Sequence, residues 1–95
     1  MTDIERLVSR LGRGRANAKK RWQLADDMQM SDRQMRRVIE LAQRAGYPVI
    51  NDCSGVGYWL AEDTEDLIRY QKQEFARASA IIKKATNMEV TYGRL

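Results

Sequence analysis

Residues 24–39 read LADDMQMSDRQMRRVI, and two short helices joined by a tight turn account for their apolar positions. Leu24, Ala25 and Met28 make one patch at i, i+1, i+4. Met30 follows a break. Met35, Val38, Ile39 and Ala42 then recur at i, i+3, i+4, i+7, the period of a helix with one buried face. Ser31 stands at the break with Gln34 three residues on, which is the spelling of a capping box. Gly46 supplies a stop, so the second helix is expected over residues 31–45.

This spacing spells a helix-turn-helix. Ala25 is the small residue that lets the two helices cross closely, Met28 follows three positions later, and Met30 is the inward side chain of the turn. Gln29 occupies the turn position that often holds Gly. Either it takes the left-handed conformation, at about 1–2 kcal/mol relative to Gly, or the turn opens slightly. At 100° per residue, Arg33, Arg37, Glu40 and Arg44 lie opposite the apolar stripe, with Arg36 and Gln43 beside them. A guanidinium fork can bond guanine O6 and N7 together, and it also bonds phosphates. The helix is therefore expected to lie in a DNA major groove, the alternative being a solvated charged face.

The chain after Gly46 extends the pattern. Pro48 forces its predecessor toward extended geometry, so Tyr47–Ile50 reads as a strand. Asn51 to Gly57 is a turn cluster, and Tyr58-Trp59-Leu60 is a second strand. A hairpin placed directly after the arginine-bearing helix makes a wing. The run SDRQMRRVIELAQRAGYPVI…SGVGYWL resembles winged helix-turn-helix domains. It is most similar to the N-terminal DNA-binding domain of biotin-repressor proteins and to small stand-alone domains of bacteria and phages. The resemblance covers residues 1–61. It implies that Ser31, Asp32, Arg33, Arg36 and Arg37 face the groove, and that the wing touches neighbouring backbone or minor groove. The loop here departs from a strong DNA clamp: between Ile50 and Tyr58 it has no Lys or Arg, and Asp52 adds a negative charge. Phosphate contact would have to come from Asn51, Ser54 or the backbone N–H groups of Gly55 and Gly57. The hairpin either does this or only completes the core.

Composition narrows the class. Ninety-five residues with a net charge of +4 make one small basic domain with a modest core and an extra element. Residues 1–60 hold 11 Lys/Arg against 7 Asp/Glu, whereas residues 61–95 hold 6 against 6. The whole excess thus lies in the helix-turn-helix part. Its densest cluster is Arg10, Arg13, Arg15, Lys19, Lys20 and Arg21, with no acid over residues 6–25. Arg15, Lys19, Lys20 and Arg21 are expected to meet phosphates and gain from counterion release; a solubilising basic loop is the alternative. With no His, one Cys and no phosphate-binding loop, no catalytic, metal or cofactor site is expected, and no enzyme. A single Cys, no signal segment and no apolar span point to a reducing cytoplasm. Cys53 falls in the wing turn, as a reactive thiol or incidentally.

Two outer segments frame the motif. Thr2 caps a helix whose Ile4, Leu7, Val8 and Leu11 face the core, and Gly12 and Gly14 stop it. Residues 15–18 are expected to form a short third strand. Trp22 is expected to pack at the start of the second helix. The fold class expected is mainly α with a small β-hairpin (α+β): a winged helix-turn-helix over 1–61, a long C-terminal helix within 62–87 and a tail over 88–95. Thr64 should cap that last helix, which should end about Thr86. In it Ile68, Phe75 and Ile82 repeat every seven residues, and Gln71, Ala78 and Ala85 do so offset by three. This seam either forms a homodimer, giving two recognition helices for a two-fold DNA site, or folds back on its own domain. Two function classes follow: a small duplex-DNA-binding regulator or replication-organising protein, and a protein–protein adaptor working through the C-terminal helix.

Overall fold

The computed structural model describes residues 1–52 and 54–95, so Cys53 lies outside the described residues. The chain runs α1 (Asp3–Arg10), α2 (Arg21–Asp27), α3 (Asp32–Arg44), β1 (Val49–Asn51), β2 (Tyr58–Leu60) and α4 (Thr64–Tyr92). It is a mainly helical α+β fold with one antiparallel hairpin and a long last helix. No helix of the described residues is long and apolar enough to cross a membrane.

Local chemistry sets the starts of α1 and α3. The Thr2 side chain accepts from the Glu5 N–H at 3.1 Å. Ser31 Oγ accepts from the Gln34 N–H at 3.1 Å, and Gln34 Oε1 accepts from the Ser31 N–H at 2.8 Å, the reciprocal capping box. Both α1 and α3 turn one apolar face inward. Leu7, Leu11, Leu24, Ala25, Met28, Met35, Val38, Ile39, Ala42 and Val49 form one buried cluster, with Met30 packed against it. Large-to-small changes at such fully buried positions cost about 2–5 kcal/mol. The corner between α2 and α3 is tight. Gln29 is left-handed (φ 55°), and the Met30 N–H donates to the Ala25 carbonyl at 2.8 Å. Gly46 (φ 95°) ends α3 in the expected manner.

The hairpin pairs Val49 with Leu60, Ile50 with Trp59 and Asn51 with Tyr58. The third strand expected over residues 15–18 is not formed. Arg15–Asn17 is instead a 3-10 turn, flanked by single-residue bridges from Arg13 to Leu60 and from Lys19 to Tyr58. The first bridge is parallel and the second antiparallel. The chain therefore reverses between them, and Asn17 and Ala18 direct their N–H groups back to Gly14 and Arg15. Gly57 is required here: at φ 119° a Cβ would lie 2.2 Å from the Lys19 carbonyl oxygen.

Asp63, not Thr64, caps α4, its side chain accepting from the Asp66 N–H at 2.8 Å. The first three turns are anchored. Asp66 accepts from the Trp59 indole N–H and from the Glu62 N–H, both at 3.0 Å. The Gln43 amide, bonded to the Val49 carbonyl, also donates to the Tyr70 hydroxyl at 3.2 Å. From Phe75 onward every residue is exposed. The helix continues to Tyr92, past the stop expected near Thr86 and through most of the expected tail. Nothing between Thr86 and Tyr92 breaks it, because no Gly or Pro occurs before Gly93. At 29 residues it is about 43 Å long, and it projects from the domain rather than folding back. The molecule measures 53 × 31 × 23 Å.

Candidate nucleic-acid interface

The exposed face of α3 carries Arg33, Arg36, Arg37, Glu40 and Arg44. They are held differently. Arg44 pairs with Glu40 one turn back at 2.7 Å. Arg36 forms an ion pair with Asp32 at 2.9 Å, and Arg21 of α2 donates to the other oxygen of the same carboxylate at 2.6 Å. The Arg21 hydrogen bond holds the Asp32 carboxyl below its ordinary pKa and raises that of the guanidinium. Arg33 and Arg37 have no carboxylate within 4.0 Å among the described residues. Ser31 and Gln34 spend their side chains on the helix cap. Gln43, beside this face, holds β1 and Tyr70 instead of projecting outward.

The basic segment before α2 is also partly committed. Arg15 donates to Asp52 at 2.8 Å and to Ser54 Oγ at 3.0 Å, tying the 3-10 turn to the hairpin loop. Ser54 in turn donates to Asp52 through both its N–H and its hydroxyl. These bonds, the Ser54 hydroxyl first and then Arg15, lower the Asp52 pKa to about 2. The negative charge that set this loop apart is thus neutralised from within the chain. Lys19 donates to the Arg10 carbonyl at 2.6 Å, while Arg10 pairs with Asp27 at 2.6 Å. Lys20 and Arg13 have no carboxylate partner within 4.0 Å among the described residues. Gly55 is exposed and left-handed (φ 79°), and Gly57 lies against Lys19.

A cleft opens between α2, the start of α3 and the hairpin, lined by Lys20, Arg21, Trp22, Asp32, Gly57 and Tyr58. Trp22, expected to pack, is 64% exposed at its rim. Leu24, Ala25 and Met28 already fill the inward face of this two-turn helix, and Trp22 lies outside that face. Directly after Lys20 and Arg21, it gives the cleft, whose lining balances these two cations with Asp32 and Asp52, an aromatic surface. A second, adjoining hollow brings Arg36 and Glu40 of α3 to Asn51 of β1 and to Glu74 and Arg77 of α4. Arg77 was not legible as a neighbour of α3, because its place depends on how α4 leaves the hairpin. Ile68, Gln71, Phe75, Ala78, Ile82 and Ala85 are all exposed on α4. Compared with protein-family models, with curated proteins and with solved structures, the chain matches none.

Proposed function

We propose that this chain binds duplex DNA by laying α3 in the major groove, as a small transcriptional regulator or replication-organising protein of the winged helix-turn-helix kind. One observation carries the reading. Arg33 and Arg37 stand one turn apart on the outward face of a helix docked by its other face, and neither is engaged by a carboxylate among the described residues. Planar forks so placed suit base edges. Lys20 and Arg13 supply unengaged charge for phosphates, and the hairpin lies beside α3 where a wing would meet the backbone. A selected duplex site should lose about 1–3 kcal/mol of binding free energy on changing Arg33 or Arg37 to Ala. Fluorescence anisotropy measures this, with urea melting as the check on folding. A folded double alanine variant that binds as tightly as the parent overturns the reading. The long exposed face of α4 favours a second reading, in which the chain is a protein–protein adaptor. That reading predicts no salt-dependent affinity for duplex DNA.

A further inference from the structure

We infer that α4 pairs antiparallel with α4 of a second copy of this chain, about a two-fold axis near residues 80 and 81. The pairing itself does not depend on DNA binding; only the spacing consequence given below rests on that reading. The first observation is the exposed face. Beyond the anchored turns, Phe75, Ala78, Ile82 and Ala85 share one side of α4 with Ile81 and Met88 at its margin, and all are exposed. Phe75 is 70% and Ile82 66% exposed, with nothing among the described residues to cover them.

The order of large and small residues selects the orientation. In a parallel pair each layer meets itself, so Phe75 faces Phe75 and the two alanine layers, 78 and 85, face alanine and leave gaps. Reversing one helix about residue 80 sets Phe75 against Ala85, Ala78 against Ile82 and Ile68 against Tyr92. Each large side chain then meets a small one or lies at the helix end, and Ile81 lies level with the partner's Ser79, one position from the axis.

Charge selects the same orientation independently. Residues 62–74 hold five carboxylates against two cations, and residues 77–95 hold four cations against one carboxylate. The helix is thus acidic at its anchored end and basic at its free end. Antiparallel pairing lays each acidic end along the partner's basic end, whereas a parallel pair stacks like on like. The helix macrodipoles oppose in the same sense. The partner's end at Met88 to Tyr92 would reach the groove between α4 and the α3–β1 link, lined by Tyr47, Pro48, Leu67 and Gln71. Tyr47 is 39% exposed there.

The arrangement sets a distance. Residue 69 of one copy and its counterpart in the other, level with residue 91, are 22 positions apart, or about 33 Å along the helix. On the DNA-binding reading, the points at which α4 leaves the two domains then lie about 33 Å apart, close to one turn of B-DNA, the half-site spacing of two-fold helix-turn-helix dimers.

Pulsed EPR on the full-length chain tests the orientation without DNA. In a Cys53→Ser background, nitroxides are placed at Lys72→Cys in one preparation and at Thr86→Cys in another. Residues 72 and 86 are about 21 Å apart along one helix. The mixed sample is expected to give a short distance, its labels lying nearly level, and each homogeneous sample a clearly longer one, its labels offset by about 18–24 Å along the pair. Short distances within each homogeneous sample instead show a parallel pair and overturn the inference. So does a monomeric mass by light scattering at about 100 µM, where a pair of micromolar affinity is nearly complete. Phe75→Asp is expected to give a folded monomer, with the buried Trp59 emission unchanged. A dimer surviving that change overturns the seam. A pair with the expected distances that binds no duplex leaves the pairing standing and overturns only the DNA reading.

Discussion

Arg21, at the start of α2, and Asp32, at the start of α3, meet 2.6 Å apart across the helix-turn-helix corner, and Asp32 also holds Arg36. One carboxylate thus restrains two guanidinium groups beside Arg33 and Arg37, which no carboxylate engages among the described residues. On the DNA-binding reading this negative charge lies where phosphates would approach, and binding would have to exchange these ion pairs for phosphate contacts.

Asp32→Asn is therefore expected to release both arginines and remove the repulsion. Affinity for random duplex should rise, and the salt slope should steepen by about one to two units, as for one to two added phosphate contacts. Discrimination between a selected site and random DNA should narrow. Salt-series anisotropy on both duplexes measures the two together. Unchanged slopes would show that Asp32 does not restrain the arginines.

The basic segment divides by engagement. Neutralising the unpaired Lys20 to Gln should lower the salt slope by about 0.9 on specific and random duplex alike. Neutralising Arg15 should lower it less, because Arg15 is spent on Asp52 and Ser54. The same salt series ranks them, and equal losses would count against the division.

Gln29 holds φ 55°, a region that disfavours side chains. Gln29→Gly relieves this but adds backbone freedom to the unfolded chain, so a net gain of roughly 0.5–1 kcal/mol is expected in urea unfolding. Gly57→Ala is the opposite case. Its Cβ would strike the Lys19 carbonyl, and a loss of roughly 3 kcal/mol is expected from strain and the broken bridge. A neutral Gly57→Ala would show that the Lys19–Tyr58 bridge does not hold the hairpin.

Asp52 titrates at about 2 in the folded chain, below its ordinary 3.8. A depressed carboxyl pKa contributes stability that is full above the unfolded value and is lost as pH falls through the folded one. The Arg15–Asp52–Ser54 contact should accordingly persist at pH 5 and open between about pH 4 and about pH 2. NMR titration of the Asp52 carboxyl should give a midpoint near 2, moving up toward the ordinary value in Arg15→Ala. An unshifted midpoint in the parent would rule the contact out in solution.

The elements whose cause is local were legible in the chain itself. The 3.6-residue recurrence from Met35 to Ala42, the Ser31/Gln34 cap, the Gly46 stop and the strands on either side of residues 52–57 are dictated by neighbours within a few positions. Where cause lies across space, only the tertiary structure decides. The winged-helix pattern calls for a strand over residues 15–18, but Arg15–Asn17 forms a 3-10 turn, because Arg13 and Lys19 reach β2 by opposite senses of pairing. Trp22 reads as core by hydrophobicity, yet Leu24, Ala25 and Met28 had already filled the face of a helix only two turns long. Composition showed the arginines, but not that Asp32 holds Arg21 and Arg36 while Arg33 and Arg37 have no such partner among the described residues. The heptad of α4 was written in the sequence, and that from Phe75 onward it meets nothing among the described residues was not. Periodicity records which side chains share an apolar face, and only the path of α4 away from the hairpin shows that, among the described residues, none packs on that face beyond Phe75.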